Sequence, residues 1–234
     1  MSKIELYCDT GNLEELKRYV NDDRFRGFTT NPSLIAKEIG DKSYLETIQE
    51  ILNIVPKLSP ISFEVVSIDT ETMYNQAMML ADLAPNVYVK IPILNPDGSN
   101  NTQLIFRLMS KGININVTCI GHSGQVKAVE DSKNLILSVF AGRIQDTLND
   151  AESVCDSVKS DHPNAKVLWA SMRELYNIKQ AERCGCDIIT VPTQFISKFN
   201  WFEYSLDDVS RLSSEQFYND AIKAGLTLSS TTHD

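Results

Sequence analysis

The sequence predicts an α/β fold, a (β/α)8 TIM barrel in a single domain with an extra C-terminal helix. Three observations predict it. Short apolar runs rich in β-branched residues alternate with stretches of helical periodicity, and there are eight such runs. The 234 residues, 42% hydrophobic and 23% charged, match the size and make-up of one such barrel. Polar residues break the runs mainly toward their C-terminal ends, and the C-terminal rim is where barrels of this kind carry their sites. An open doubly wound sheet is the alternative. No G-x-G-x-x-G follows a strand, so no dinucleotide site is indicated.

Taken in order, IELYCDT (4–10) closes on Asp9, and "NLEELKRYV" supplies the helix that Asp9 can help to cap. RGFTTNP (26–32) closes on Thr29, Thr30 and Asn31, and Asn31 before Pro32 can cap the next helix. ISFEVVS (61–67) carries Glu64 and leads to the helical "ETMYNQAMMLADLA". In VYVKIPI (87–93), Val87, Val89 and Ile91 make one apolar face, and Lys90 falls on the other with Tyr88 and Pro92. "PILNPDGSNNTQ" is a turn-rich loop into a further helix. GININVTCI (112–120) alternates Ile113, Ile115 and Val117 with Asn114, Asn116 and Thr118. LILSVFAGRI (135–144) brings Ser138 and Arg143, and KVLWASM (166–172) ends on Ser171 and Arg173. DIITVP (187–192) completes the set. The expected organisation is one barrel domain over 1–234, with a helical extension over about 203–226 and a mobile tail over 227–234.

The net charge of −9 disfavours nucleic acid as a general partner, though a few local arginines still suit an anionic substrate. No apolar stretch reaches the length of about 18 residues that a membrane helix needs. The opening "MSKIELYCDTGN" lacks a secretory pattern, so a cytoplasmic protein is expected. Cys8, Cys119, Cys155, Cys184 and Cys186 make no disulfide framework, and C-x-C is not the C-x-x-C of zinc or redox sites. They read as reduced structural thiols. His122, His162 and His233 make no ligand pattern, and no metal is expected.

A parallel strand covered on both faces is normally almost continuously apolar. Asp9, Thr29, Asn31, Glu64, Lys90, Asn116, Thr118, Ser138, Arg143, Ser171 and Arg173 break that rule from seven strands at one rim. Taken singly, some have structural explanations: caps for Asp9 and Asn31, a buried ion pair for Glu64 and Lys90, a solvated loop charge for Arg143. Taken jointly, they describe a site. A lysine enclosed by apolar side chains loses hydration of its charged form, and the neutral amine attacks a carbonyl to form a Schiff base. The iminium then lets a neighbouring C–C bond break without a metal. Asp9 and Glu64 are the acids in the strands that can move protons. Arg143, Arg173 and Ser171 suit a phosphate.

"GFTTNPSLI" (27–35), "VKIP" (89–92), "GININVT" (112–118), "SVFAGRI" (138–144) and "ASMRE" (170–174) resemble the transaldolase family, in order over nearly the whole chain. The length is similar to its short subgroup, which includes fructose-6-phosphate aldolase. The resemblance implies that Lys90 forms a Schiff base with a ketose phosphate and that Asp9 takes the proton from the substrate hydroxyl during cleavage. It implies that Glu64 works through a water also held by Thr118. Asn31 and Asn116 would hold the dihydroxyacetone part, with Thr29 beside Asn31 in the same motif. Ser138 matches a substrate-contacting serine, and Arg143, Ser171 and Arg173 match the phosphate set. No cofactor is implied. The fructose-6-phosphate aldolases carry Gln where this chain has Glu64 and a catalytic Tyr where it has Phe140, so both positions point to transfer. The expected reaction passes dihydroxyacetone from sedoheptulose 7-phosphate or fructose 6-phosphate to an aldose phosphate, as in the pentose phosphate pathway.

Met172 departs from the usual Phe, "CIGHSGQ" (119–125) is unusually polar, and the loop over 93–101 is longer than usual. These departures bear on the sugar chosen, and His122 has no role in the family pattern. The alternatives are a fructose-6-phosphate aldolase-type lyase, a transaldolase acting on an unusual sugar, or a barrel that binds a sugar phosphate without turnover. The resemblance also implies a homo-oligomer, with pentamer and decamer both open. "SSEQFYNDAIKAG" resembles the contact helix of that subgroup, with Phe217, Ala221 and Ile222 as its apolar stripe, and a helix packed on its own barrel is the alternative.

Overall fold

The computed structural model of the chain describes residues 4–228. Eight strands, β1 (Glu5–Asp9), β2 (Phe25–Thr29), β3 (Ile61–Glu64), β4 (Val87–Pro92), β5 (Ile115–Ile120), β6 (Leu135–Val139), β7 (Lys166–Trp169) and β8 (Ile188–Pro192), pair in chain order. Every pairing is parallel, and β1 also pairs with β8, so the barrel closes. The open-sheet alternative is thereby excluded. Helices α1 (Leu13–Tyr19), α2 (Pro32–Ile35), α3 (Tyr44–Ile54), α4 (Thr70–Leu83), α5 (Thr102–Met109), α6 (Ala141–Asp146), α7 (Ala151–Asp161), α8 (Asn177–Arg183) and α9 (Thr193–Ile196) fill the connections.

The differences from the sequence reading have local causes. Asp9 does not cap α1: Asn12 does, accepting from the Glu15 N–H at 2.9 Å. β2 stops at Thr29 because Asn31 caps α2, and Pro32, which has no N–H to give, takes its first position. β6 stops at Val139. The apolar residues beyond it belong to α6, which buries Ala141, Gly142 and Ile144. β5 is followed only by a 3-10 turn, Ser123–Gln125, rather than by a helix.

Side chains two apart share a face, and the register stacks these faces into layers. Val87, Val89 and Ile91 are buried on the outward face of β4. Inside the barrel, Tyr7, Ile136, Leu168, Ala170 and Ile188 form one apolar cluster, with Tyr88 and Phe140 packed against it. Burial of such side chains is worth about 1.5–3 kcal/mol each. Tyr7 fits because its neighbour on β2 is Gly27: a Cβ there would lie 2.6 Å from the tyrosine ring. One step further along each strand, the inward residues turn polar: Asp9 follows Tyr7, Lys90 follows Tyr88, Ser138 follows Ile136 and Thr190 follows Ile188. An apolar floor therefore carries a polar layer at the C-terminal end.

The chain divides between Ile196 and Ser197 into two compact units, and the first contains the whole barrel. The second holds a 3-10 turn (Phe199–Glu203) and α10 (Leu206–Lys223). Its Phe199 ring stacks on Phe202, and Trp201 meets Tyr204 at a tilt of 57°. Ser205 and Asp208 cap α10 reciprocally, and no residue of α10 is buried. The residues 229–234 of the expected tail lie outside the described residues. No helix among the described residues is long and apolar enough to cross a membrane.

Candidate active site

Lys90 stands inside the barrel mouth, 7% exposed. Its Nζ donates to the Thr30 carbonyl at 2.9 Å and lies 3.4 Å from Glu64 Oε2. The pairing Glu64↔Lys90 between β3 and β4 makes this meeting a consequence of register. Tyr44 of α3 donates to the Glu64 carbonyl at 2.8 Å and fixes the end of β3. Such enclosure costs both charges their hydration, and an ion pair of this kind is weak evidence for stability.

Asp9 lies on β1 opposite Thr29 of β2, whose hydroxyl donates to Asp9 Oδ1 at 2.6 Å. The Thr29 hydroxyl also meets that of Thr190 on β8. Since Thr29 spends its proton on Asp9, Thr190 is the donor to Thr29. Burial pushes the Asp9 carboxyl up from its ordinary value, against the Thr29 hydrogen bond and the Lys90 charge, which pull it down.

Asn116 sits beside Lys90 in the β4–β5 register. Its Oδ1 accepts from Ser138 at 2.7 Å and its Nδ2 donates to Ser62 at 3.1 Å. Thr118 is fully buried, and its hydroxyl has no hydrogen-bond partner among the described residues. Asn31 is at this end of the barrel too, with its Oδ1 committed to the Leu34 N–H at 3.0 Å.

The remaining predicted residues gather between β6 and β7. The Arg143 guanidinium lies over the Phe140 ring, 5.1 Å from its centroid. Arg173 pairs with Asp146 at 2.6 Å, and its backbone N–H is held by Asn177 Oδ1 at 2.8 Å. Ser171 has a left-handed backbone, φ 63°. That conformation aims its carbonyl oxygen at Gly142, where a Cβ would come within 1.7 Å. The Arg173 Cγ would be 3.0 Å from the same point. The missing side chain at 142 is what lets the two rim segments meet.

A cavity of about 600 Å3 opens beside Glu64 and is bounded by Val66, Ile68, Leu94 and Cys119. Its wall over 93–101 is braced by reciprocal amide bonds between Asn95 and Asn101, at 3.1 and 2.8 Å. His122 is exposed at the start of the 3-10 turn.

Two members of the polar layer, Thr190 and Ser62, were missed in the sequence. Both stand two residues from a position already inward-facing, Thr190 after Ile188 and Ser62 before Glu64. Strand period was the one signal in the sequence that pointed to them.

Fold and mouth together define a (β/α)8 barrel of the enzyme type, with a lysine, two carboxylates and a ring of hydroxyl and amide groups at its C-terminal end. The comparisons make this specific. The family model for transaldolase/fructose-6-phosphate aldolase matches residues 6–232, and the chain belongs to that family. It is 34% identical over 199 residues to a protein described as "Probable transaldolase" from Carboxydothermus hydrogenoformans, covering 83% of this chain and 89% of the relative. The corresponding protein of Clostridioides difficile is also 34% identical, with coverages of 83% and 88%. That of Aquifex aeolicus is 31% identical over 210 residues, with coverages of 88% and 92%. Among solved structures, orotidine 5'-monophosphate decarboxylase from Metallosphaera sedula superposes with a TM-score of 0.54 at 15% identity, covering 90% of this chain and 95% of that one. The Leishmania donovani OMP decarboxylase gives 0.54 at 14% identity, with coverages of 81% and 84%. These two likenesses concern the fold alone.

Proposed function

We propose that the protein is a transaldolase that moves a dihydroxyacetone unit from a ketose phosphate to an aldose phosphate through a Schiff base on Lys90. The observation that carries this reading is the Lys90 amine inside the mouth, 3.4 Å from Glu64, in the same polar layer as Asp9. The amine adds to the substrate ketone and water leaves, giving an iminium. Asp9 takes the hydroxyl proton as the C–C bond breaks, and the iminium receives the electron pair as an enamine. Glu64 and Thr118 hold the water used in forming and hydrolysing the iminium. Asn116, Ser138 and Asn31 hold the three-carbon unit. Arg143, Arg173 and Ser171 hold the phosphate, with the Arg173–Asp146 pair opening to admit it. Phe140 has no proton to give, so the enamine persists until an aldehyde arrives. This chemistry needs no cofactor.

The family supports the class of reaction, and sedoheptulose 7-phosphate and fructose 6-phosphate are the donors this reading names. The five cysteines are free thiols, which supports a cytoplasmic setting. The exposed apolar stripe of α10 supports a homo-oligomer.

Incubation with fructose 6-phosphate and borohydride should leave a reduced adduct on the peptide containing Lys90, and Lys90→Ala should remove both adduct and turnover. Normal turnover in Lys90→Ala would overturn the mechanism. Adding erythrose 4-phosphate should yield sedoheptulose 7-phosphate. Release of free dihydroxyacetone at the same rate without an acceptor would assign a lyase instead.

A further inference from the structure

We infer that Cys155, Cys184 and Cys186 form a three-coordinate thiolate site for a soft monovalent cation of the copper(I) class. It lies where α8 ends and β8 is about to begin, and it shares no residue with the Lys90 mouth. The three sulfurs lie within 4.8 Å of one another, and Cys184 and Cys186 are 3.7 Å apart. All three residues are buried.

The C-x-C pair owes its geometry to the way α8 stops. Cys184 caps the helix and Gly185 follows in the left-handed conformation, φ 73°. The Gly185 N–H bonds the Glu182 carbonyl and the Cys186 N–H bonds the Ala181 carbonyl. This paired closure turns the chain back so that two thiols one residue apart meet. A Cβ at 185 would meet only Lys159 Cγ, at 4.0 Å. Glycine is therefore required for its backbone conformation rather than for space. Cys155 reaches the pair from α7, far away in sequence, which is why the expectation of no metal followed from spacing alone.

A metal bound by three sulfurs at about 2.3 Å in a plane needs them about 4 Å apart. The existing triangle is within an ångström of that. Among the described residues, no histidine or carboxylate joins the three thiols as a fourth ligand. A tetrahedral zinc site is therefore incomplete, whereas copper(I) accepts three soft ligands. The thiols release their protons to solvent as copper–sulfur bonds form.

The test is an anaerobic titration of the reduced full-length chain with copper(I) against bicinchoninate, followed by X-ray absorption on the loaded protein. The expected result is one copper retained per chain with three sulfur neighbours and a raised thermal midpoint. Cys155→Ala and Cys184→Ala should lose the bound copper, and Cys119→Ser, which changes the exposed thiol, should keep it. Failure to retain copper against the chelator, fewer than three sulfurs, or tighter binding of zinc(II) would each overturn the site. The sulfur count is read on the unsubstituted chain, so it decides the matter even where a cysteine variant folds poorly.

Discussion

Asp9 is held in the fold at the expense of stability. Burial raises its carboxyl above the ordinary value, and neither the Thr29 bond nor the Lys90 charge offsets it fully. A folded-state value above the unfolded one favours the protonated form. The stability this gives is complete below the unfolded value and is lost as pH rises through the folded one. At neutral pH the carboxylate is therefore a liability. Asp9→Asn should raise the thermal midpoint at pH 7, by roughly 2–4 °C for each kcal/mol relieved, while abolishing turnover. The gain should shrink as the pH is lowered, and a variant less stable than the parent at pH 7 would contradict the argument. Thr190 acts one bond further out. Thr190→Val keeps the shape and removes the donor to Thr29, a loss of about 1 kcal/mol at a buried site. We expect kcat to fall by up to about tenfold, the acid limb of its pH profile to move upward, and Thr190→Ser to restore both. Unchanged acid-limb behaviour would make Thr190 a packing residue. Lys90, Glu64 and Asp9 were legible because an ionic group in an apolar run has few other uses. Thr190 was not, because a threonine among β-branched residues reads as ordinary strand.

At the scale of elements, the eight runs were legible as strands because each pairs apolar alternation with turn residues, but their ends were not. In the run 135–144 no local signal separates the strand Leu135–Val139 from the helix Ala141–Asp146. The break comes from tertiary contact: Gly142 must pass under the Ser171 carbonyl, and Ser171 must take a left-handed backbone to aim it there. This crossing brings the Arg173 Cγ to 3.0 Å from where a Cβ at 142 would stand, next to Arg143 in the chain. Gly142→Ala should push α6 away from the β7 end, since a contact of 1.7 Å with a backbone atom is impossible. Overpacking of this kind costs about 1–3 kcal/mol or more. The KM for phosphorylated donors should rise more than kcat falls, because on the proposed reading the displaced parts hold phosphate while Lys90 and Asp9 stand on other strands. Differential scanning calorimetry and steady-state kinetics would check the two effects. An alanine variant with parental stability and KM would show that α6 has room to move.

For the whole molecule, the question is what covers α10. Its eighteen residues carry a reciprocal cap, yet Phe217, Tyr218 and Ile222 are 70%, 67% and 65% exposed. In sequence, Phe217, Ala221 and Ile222 stand at i, i+4 and i+5, a spacing that puts them on one side of the helix. Exposing three large apolar side chains forgoes several kcal/mol of burial, and patches of this sort on soluble chains mark contact surfaces. The periodicity was readable from "SSEQFYNDAIKAG", whereas the partner was not, because an amphipathic stripe carries no record of what it faces. A second copy of the chain is the simplest partner, since any contact made through one α10 is then available to every subunit. Phe217→Asp together with Ile222→Asp places two charges on the stripe, where burial costs more than any contact returns. The parent should sediment as a closed oligomer and the double variant as a monomer, with the circular dichroism of the barrel unchanged. The monomer should also keep its Lys90 borohydride adduct, because every group of the mouth comes from residues before 197. A parent chain that sediments as a monomer at micromolar concentration would remove the assembly and leave α10 to a different partner.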